Sequence, residues 1–161
     1  MSTIKEVTNV DKEPTEQNTD KILKRVKKYL AEKEIECNGG VSDKKIESME
    51  QELNLTLHED VKEYLRYCGS INIGHVELGG LSKPKKHTHM LYMTLACREN
   101  DPKFPTNAVF VEMLSEDTVA IVNNVADMFE YSLLKRKKQS MNMKFEEYVL
   151  DRIKKGFKMK R

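Results

Sequence analysis

The stretch KIESMEQELNLTLHEDVKEYLRYCGSI, residues 45–71, limits the fold more than any other part of the chain. Ile46, Met49 and Leu53 recur at helical spacing, Ser42 stands where a capping hydroxyl belongs, and Asn54 can close the helix in the left-handed region that asparagine tolerates. LTL then turns a corner. His58-Glu59-Asp60 opens a further helix with two carboxylates at the positive end of its dipole. Val61, Tyr64, Leu65 and Cys68 follow at i, i+3, i+4 and i+7, an inward stripe, and Gly69 ends it. Two short amphipathic helices therefore meet at a hydrophobic corner, and none of their residues looks able to do chemistry.

The flanks complete an α+β pattern. Residues 1–19 are polar and lack apolar periodicity, which predicts a flexible N-terminal arm; residues 20–157 read as one domain and 158–161 as a basic C-terminal tail. Ile22, Leu23, Val26, Tyr29 and Leu30 predict a helix over about 20–35, closed by CNGG. After Gly69 the period shortens toward two, with Ile71 and Ile73, then Val76 and Leu78, and Gly74 between them is read as a bulge. MLYMTLACRE fits a helix or a strand. NAVFVEM and TVAIVN form a hairpin, VADMFEY adds a third run, KRKKQS is a solvated connection, and FEEYVLDRIKKGF is a closing helix with Gly156 after its apolar face. N-terminal helices, an antiparallel meander and a closing C-terminal helix make an α+β domain.

Charge and cysteine content narrow the class. The net charge is +2, but residues 1–36 are neutral, 37–66 and 67–131 each carry −3, and 132–161 carry +8. A mildly acidic body with a basic end bears on partners, not on fold. Cys37, Cys68 and Cys97 form no C-x-x-C and have no histidine at finger spacing, so they are read as reduced, structural thiols in a reducing compartment. No apolar run is long enough to span a bilayer and no apolar leader opens the chain, so the expected setting is cytoplasmic, with no membrane partner.

Searches for chemistry come back empty. There is no phosphate-cradling glycine loop, no G-x-S-x-G and no H-E-x-x-H. His87–His89 lie in a lysine-rich loop and are read as solvated, His58 as an early helix residue and His75 as exposed on a strand. The carboxylate pairs Glu59-Asp60, Glu116-Asp117 and Glu146-Glu147 fall at helix starts or turns and face water. The chain is therefore expected to be no enzyme and to need no cofactor and no metal. The basic runs KILKRVKK, KRKK and RIKKGFKMKR lack interleaved stacking residues, which makes nucleic acid a minor alternative as partner.

IESMEQELNLTLHEDVKEYLRYCGSINIG resembles the signature of the SUKH superfamily: an Ile-Glu-x-x-Glu helix, a Leu-x-Leu corner, an acidic helix start and a glycine turn. The matching residues are Ile46-Glu47, Glu50, Leu53, Leu55, Leu57, Glu59, Asp60, Lys62-Glu63, Leu65 and Gly69. HVELGGL is similar to the strand and loop that follow. TLACRE is similar to the family's Thr-Leu-x-x-Arg helix, which tips MLYMTLACRE toward helix, and KFEEYVLDRI to its closing helix. The likeness covers about residues 42–155. His58, Val61 and Lys144 stand where the pattern has proline, an aromatic residue and serine.

The resemblance implies a SUKH-like fold and a non-catalytic immunity protein that binds and neutralises a cognate toxin, often a nuclease or deaminase; a regulatory interaction scaffold is the alternative. Charge clustering places the expected partner-binding residues at Glu77, Glu112, Glu116, Asp117, Asp127 and Glu130, an exposed acidic side that could steer association with a cationic toxin. The basic C-terminal end should then point away from the toxin or meet an acidic patch on it.

Overall fold

A computed structural model describes residues 21–82 and 88–160. The expected arm at 1–19 and His87 of the lysine-rich loop lie outside these residues. Among the described residues five helices, α1 (Lys24–Glu32), α2 (Asp43–Leu53), α3 (Glu59–Tyr67), α4 (Met90–Asn100) and α5 (Phe145–Lys160), accompany two antiparallel sheets. The small sheet pairs β1 (Ile71–Ile73) with β2 (Val76–Leu78); the large one runs β3 (Ala108–Met113), β4 (Thr118–Asn123), β5 (Asp127–Ser132) and β6 (Lys137–Lys144) in sequence order.

The helical corner forms as its spacing dictates. Ser42 Oγ accepts the Lys45 amide at 3.3 Å, Asn54 closes α2 at φ +55°, and Ile46, Met49 and Leu53 are buried. Glu50 reaches across the corner, where its carboxylate accepts the Leu57 amide at 2.8 Å and lies 3.5 Å from Lys62 Nζ. His58 caps α3 by accepting the Asp60 amide on Nδ1 at 3.0 Å. Tyr64, fully buried, donates its hydroxyl to the Gly79 carbonyl at 2.8 Å and so ties α3 to the end of β2. Glu63, also buried, accepts Lys27 Nζ at 2.6 Å and the Arg66 guanidinium at 3.2 Å, which docks α1 onto α3.

MLYMTLACRE is helical. Thr94 donates to the Met90 carbonyl at 2.7 Å and accepts the Phe110 amide at 2.9 Å, fastening α4 along the outer edge of β3. Arg98 donates to the carbonyls of Leu53 and Thr106, each at 2.8 Å, so one guanidinium closes the end of α2 and fixes the approach to β3. The Thr-Leu-x-x-Arg pattern is thus a pair of tertiary fasteners.

In the large sheet β3 and β4 are buried on both faces. Val109, Val111, Ala120, Val122 and Met128 join the main core with α1, α2, α3 and α5, and Phe110, Val119, Ile121 and Tyr131 form a second cluster with Cys97 of α4 and Phe104. This two-sided burial explains why β3 and β4 read as continuous apolar runs.

Five expectations change. KRKKQS is no simple connection: only 133–136 form the turn, and Lys137 already begins β6, whose polar, lysine-rich sequence suits an outer strand with little apolar contact. Gly74 makes no bulge but opens a two-residue hairpin turn at φ +59° with exposed His75 in it. His89 is not solvated; it is buried and caps α4, accepting the Tyr92 amide at 3.2 Å. Gly156 does not end the closing helix but lies inside α5, against the backbone of Ile73 and of Gly74.

Finally, Cys37 and Cys68 are joined as a disulfide, not reduced. Residues 38–41 return along the end of α3, through Asn38 N to Ser70 O, Gly39 N to Cys68 O and Val41 N to Leu65 O, each at 3.0–3.1 Å. This brings the two Cα atoms to 4.9 Å. The thiol content therefore gives no argument for a reducing compartment. Cys97 is the free cysteine among the described residues, and burial beside Asp101 pushes its thiol up to about 11. No described helix is long and apolar enough to cross a membrane.

Gly156 yields a test with an unusual sign. Alanine normally favours a helix interior over glycine by ~1 kcal/mol. Here an added Cβ would lie 2.8 Å from Ile73 Cγ2 and still closer to the Ile73 carbonyl oxygen. Gly156→Ala is expected to destabilise the fold by ~1–3 kcal/mol, measured by urea unfolding.

Candidate partner interface

The six carboxylates singled out from charge do not share one surface. Glu77 is exposed on β2, where it accepts the Asn72 side-chain amide at 3.3 Å. Asp127 opens β5 and pairs with Lys144 Nζ at 2.7 Å; that hydrogen bond holds its carboxyl below the usual range. Asp117 and Glu130 do gather, lining one groove near the end of the sheet where the β3–β4 and β5–β6 turns lie side by side, and Glu116 is exposed next to Asp117 in the first of these turns. The Leu133 amide donates to the Asp117 carbonyl at 2.7 Å and locks the two turns together. Asp117 also serves its own turn, accepting Ser115 and Thr118 hydroxyls at 3.0 and 3.1 Å.

Glu112 is the misplaced candidate. Its side chain is buried, accepts the Tyr148 hydroxyl at 2.5 Å, and takes both arms of the Arg152 fork at 2.9 and 2.7 Å. The register shift in β3 between Phe110 and Glu112 turns it to the face covered by α5. Burial and the adjacent Glu112 charge push the Tyr148 hydroxyl far above its ordinary range, so it remains a donor. The group is a strand-to-helix tie.

A second tie lies under the opposite face. Asp101, 4% exposed, accepts the Tyr131 hydroxyl at 2.6 Å and stands 3.7 Å from Arg136. Burial raises its carboxyl, but the Tyr131 hydroxyl, the Lys103 amide and Arg136 together outweigh this and hold it below the usual range. Among the described residues no group of three or more His, Cys, Asp or Glu is placed to hold a metal ion.

The exposed end of the sheet is mixed in charge. Asp117 and Glu130 line an open groove with Lys135, Lys137, Lys138 and Gln139. The basic end of the sequence thus does not point away from the expected acidic side as a unit: its hairpin lysines interleave with those carboxylates, Lys144 pairs with Asp127, and Arg152, Lys154, Lys155 and Lys158 ride on α5. Leu134, 75% exposed, crowns the β5–β6 turn, with Leu114 partly exposed beside the neighbouring turn. Charge counting missed Leu134 because it sits beside a lysine-rich run; the Leu133-Leu134 pair between Ser132 and KRKK was the available signal.

Beyond the turn, β6 is the outer strand of the sheet, and residues 137–140 are all exposed. Lys138 covers the Phe129 ring at 4.7 Å, and a register shift with Asn142 at φ +57° bends the strand. Lysines and a bulge keep such an edge from pairing indiscriminately, while leaving a short ladder free for a matched partner.

Two outcomes test the ties. Arg152→Met should cost ~3–5 kcal/mol by leaving the Glu112 carboxylate buried without its cation, and Glu112→Gln in the same chain should recover most of that loss in urea unfolding. Because Asp101 is acidified in the folded state, its stabilisation is complete above the unfolded carboxylate range and is lost as pH falls through its depressed value. Tyr131→Phe should therefore lower stability most at neutral pH, and its gap from the parent should narrow below about pH 4 in pH-resolved thermal melts.

Residues 19–154 match the family model SUKH_5, described as SMI1-KNR4 cell-wall. No curated protein gives a significant match. Among solved structures, the crystal structure of a protein from Pseudomonas syringae pv. tomato is similar in fold, with a TM-score of 0.51 at 14% identity, covering 62% of this chain and 74% of that one.

Proposed function

Because the chain belongs to the SMI1-KNR4 cell-wall family, SUKH_5, we propose that it is a protein-binding module without catalysis of its own, and specifically an immunity protein that binds and neutralises a cognate nuclease- or deaminase-type toxin in the cytoplasm. The observation that carries this reading is the hairpin end of the large sheet. There an exposed leucine stands among charges of both signs, next to the outer strand of the described sheet. An apolar anchor ringed by polar groups is the usual anatomy of a protein interface.

The mixed charge refines the steering idea. Asp117 and Glu130 lie close to Lys135 and Lys137, so the surface has little net field for long-range attraction. Its charges serve instead to set orientation and to reject partners of the wrong pattern. Buried carboxylates support the same reading: Glu63, Asp101 and Glu112 are each spent on hydrogen bonds and cations within the fold.

Co-expression with the product of the adjacent gene tests the proposal. A toxic neighbour should be neutralised and should co-purify as a stable complex. Leu134→Ala and the pair Glu116→Lys/Glu130→Lys should each weaken that complex at least about tenfold, ~1.4 kcal/mol, while Glu77→Lys leaves it unchanged. A harmless neighbour that forms no complex would overturn the immunity role and favour a regulatory scaffold. A stable complex indifferent to both changes would move the interface elsewhere.

A further inference from the structure

Exposed cations of α1 and α5, from opposite ends of the sequence, meet over one aromatic pair, and we propose that this surface binds the phosphate backbone of nucleic acid. The two helices run side by side in the same direction: Arg25 meets Glu146 at 3.4 Å near their starts, and Tyr29 packs edge-on against Phe157 at 6.2 Å further along. Lys33 and Lys154 converge on the Tyr29 ring, at 5.9 and 5.6 Å from its centre, and Lys33 also covers Phe157 at 5.9 Å. Two ammonium groups are thus held over one half-buried ring. Lys24 and Lys28 on α1, and Lys154 and Lys158 on α5, are exposed and lie one helical turn apart, ~6 Å along each axis.

Three carboxylates on these faces are already engaged. Glu146 is taken by Arg25, Asp151 by Lys155 at 3.2 Å, and Glu147 accepts the Lys144 amide at 2.9 Å. Glu32 is exposed on α1, and Glu34 and Glu36 follow on the loop beyond it. The last turns of α5, from Lys154 on, contain no acid.

A row of lysines over two helices, with its aromatic rings half-buried and already covered by cations, lacks the apolar socket that a folded protein partner would fill. It fits a uniformly charged polymer, recognised by charge and indifferent to sequence. This surface is separate from the hairpin end, and its binding does not depend on the toxin reading.

Fluorescence anisotropy with a labelled 20-mer, single-stranded and as duplex, across a salt series from 50 to 200 mM tests the proposal on the full chain. Binding should weaken with salt at a log–log slope of about −2 to −3 on the single strand, the value for three or four phosphate contacts. Lys28→Glu/Lys154→Glu/Lys158→Glu should weaken binding at least about tenfold at 50 mM salt, and Lys137→Glu on the β5–β6 hairpin should change it less than twofold. The milder Lys→Gln set at the same three sites should give an intermediate loss and guards against misfolding of the charge-reversed chain. No binding at 50 mM salt, an equal loss from Lys137→Glu, or displacement of the oligonucleotide by poly-glutamate at equal charge would overturn it; the last result would assign the surface to an acidic protein segment.

Discussion

The carboxylate of Glu50, reaching from α2 to the Leu57 amide beyond the corner, sets the geometry on which the rest of the fold is built. A corner of a few residues between two helices leaves backbone amides without helical partners, and an unpaired buried amide is expensive. Glu50 supplies the acceptor, and Lys62 balances its charge. With the angle between α2 and α3 fixed, Glu63 can take Lys27 of α1, Tyr64 can reach the carbonyl of Gly79, and Arg98 can close the end of α2. Of the matched residues, Glu50, Lys62 and Glu63 prove to be joints of this kind, and Ile46, Leu53 and Leu65 fill the core between them. The quietness of the segment is the mark of its role: Glu50, Lys62 and Glu63 are committed to holding elements at fixed angles.

Where one period dominated, the sequence was legible to the residue. Ser42, Asn54 and His58 sit at the helix ends expected of them, and the meander of β3, β4 and β5 follows its apolar runs. It was least legible where tertiary contact overrode local pattern. Gly156 reads as a stop, yet α5 continues through it because Ile73 and Gly74 press against that point and only a missing side chain lets them approach. β6 reads as a solvated link because an outer strand needs few apolar residues.

The charged groups divided in the same way. Composition cannot tell a carboxylate on a strand's wet face from one a bulge has turned inward, and Glu112 was misjudged for that reason. Nor can sequence position show that lysines over a hundred residues apart will share a ridge, or that the cations of one basic tail will be split between a hairpin and a helix. Electrostatic patterns are assembled by the fold, so a tally along the chain locates the charges but not the fields they make.

The disulfide between Cys37 and Cys68 has a consequence for the chain as a connected object. It spans a sequence separation of 31 residues that contains both helices of the corner and leaves α1, the large sheet and α5 outside. In the oxidised protein the corner is a closed covalent ring, and the remainder is two linear strings attached to it. A pull on the two ends, as when a protease complex or a translocating pore draws on the chain, can lengthen only those strings. The contour withheld by the ring is ~110 Å at full extension, and any pore that must thread this protein has to admit a doubled chain at that point.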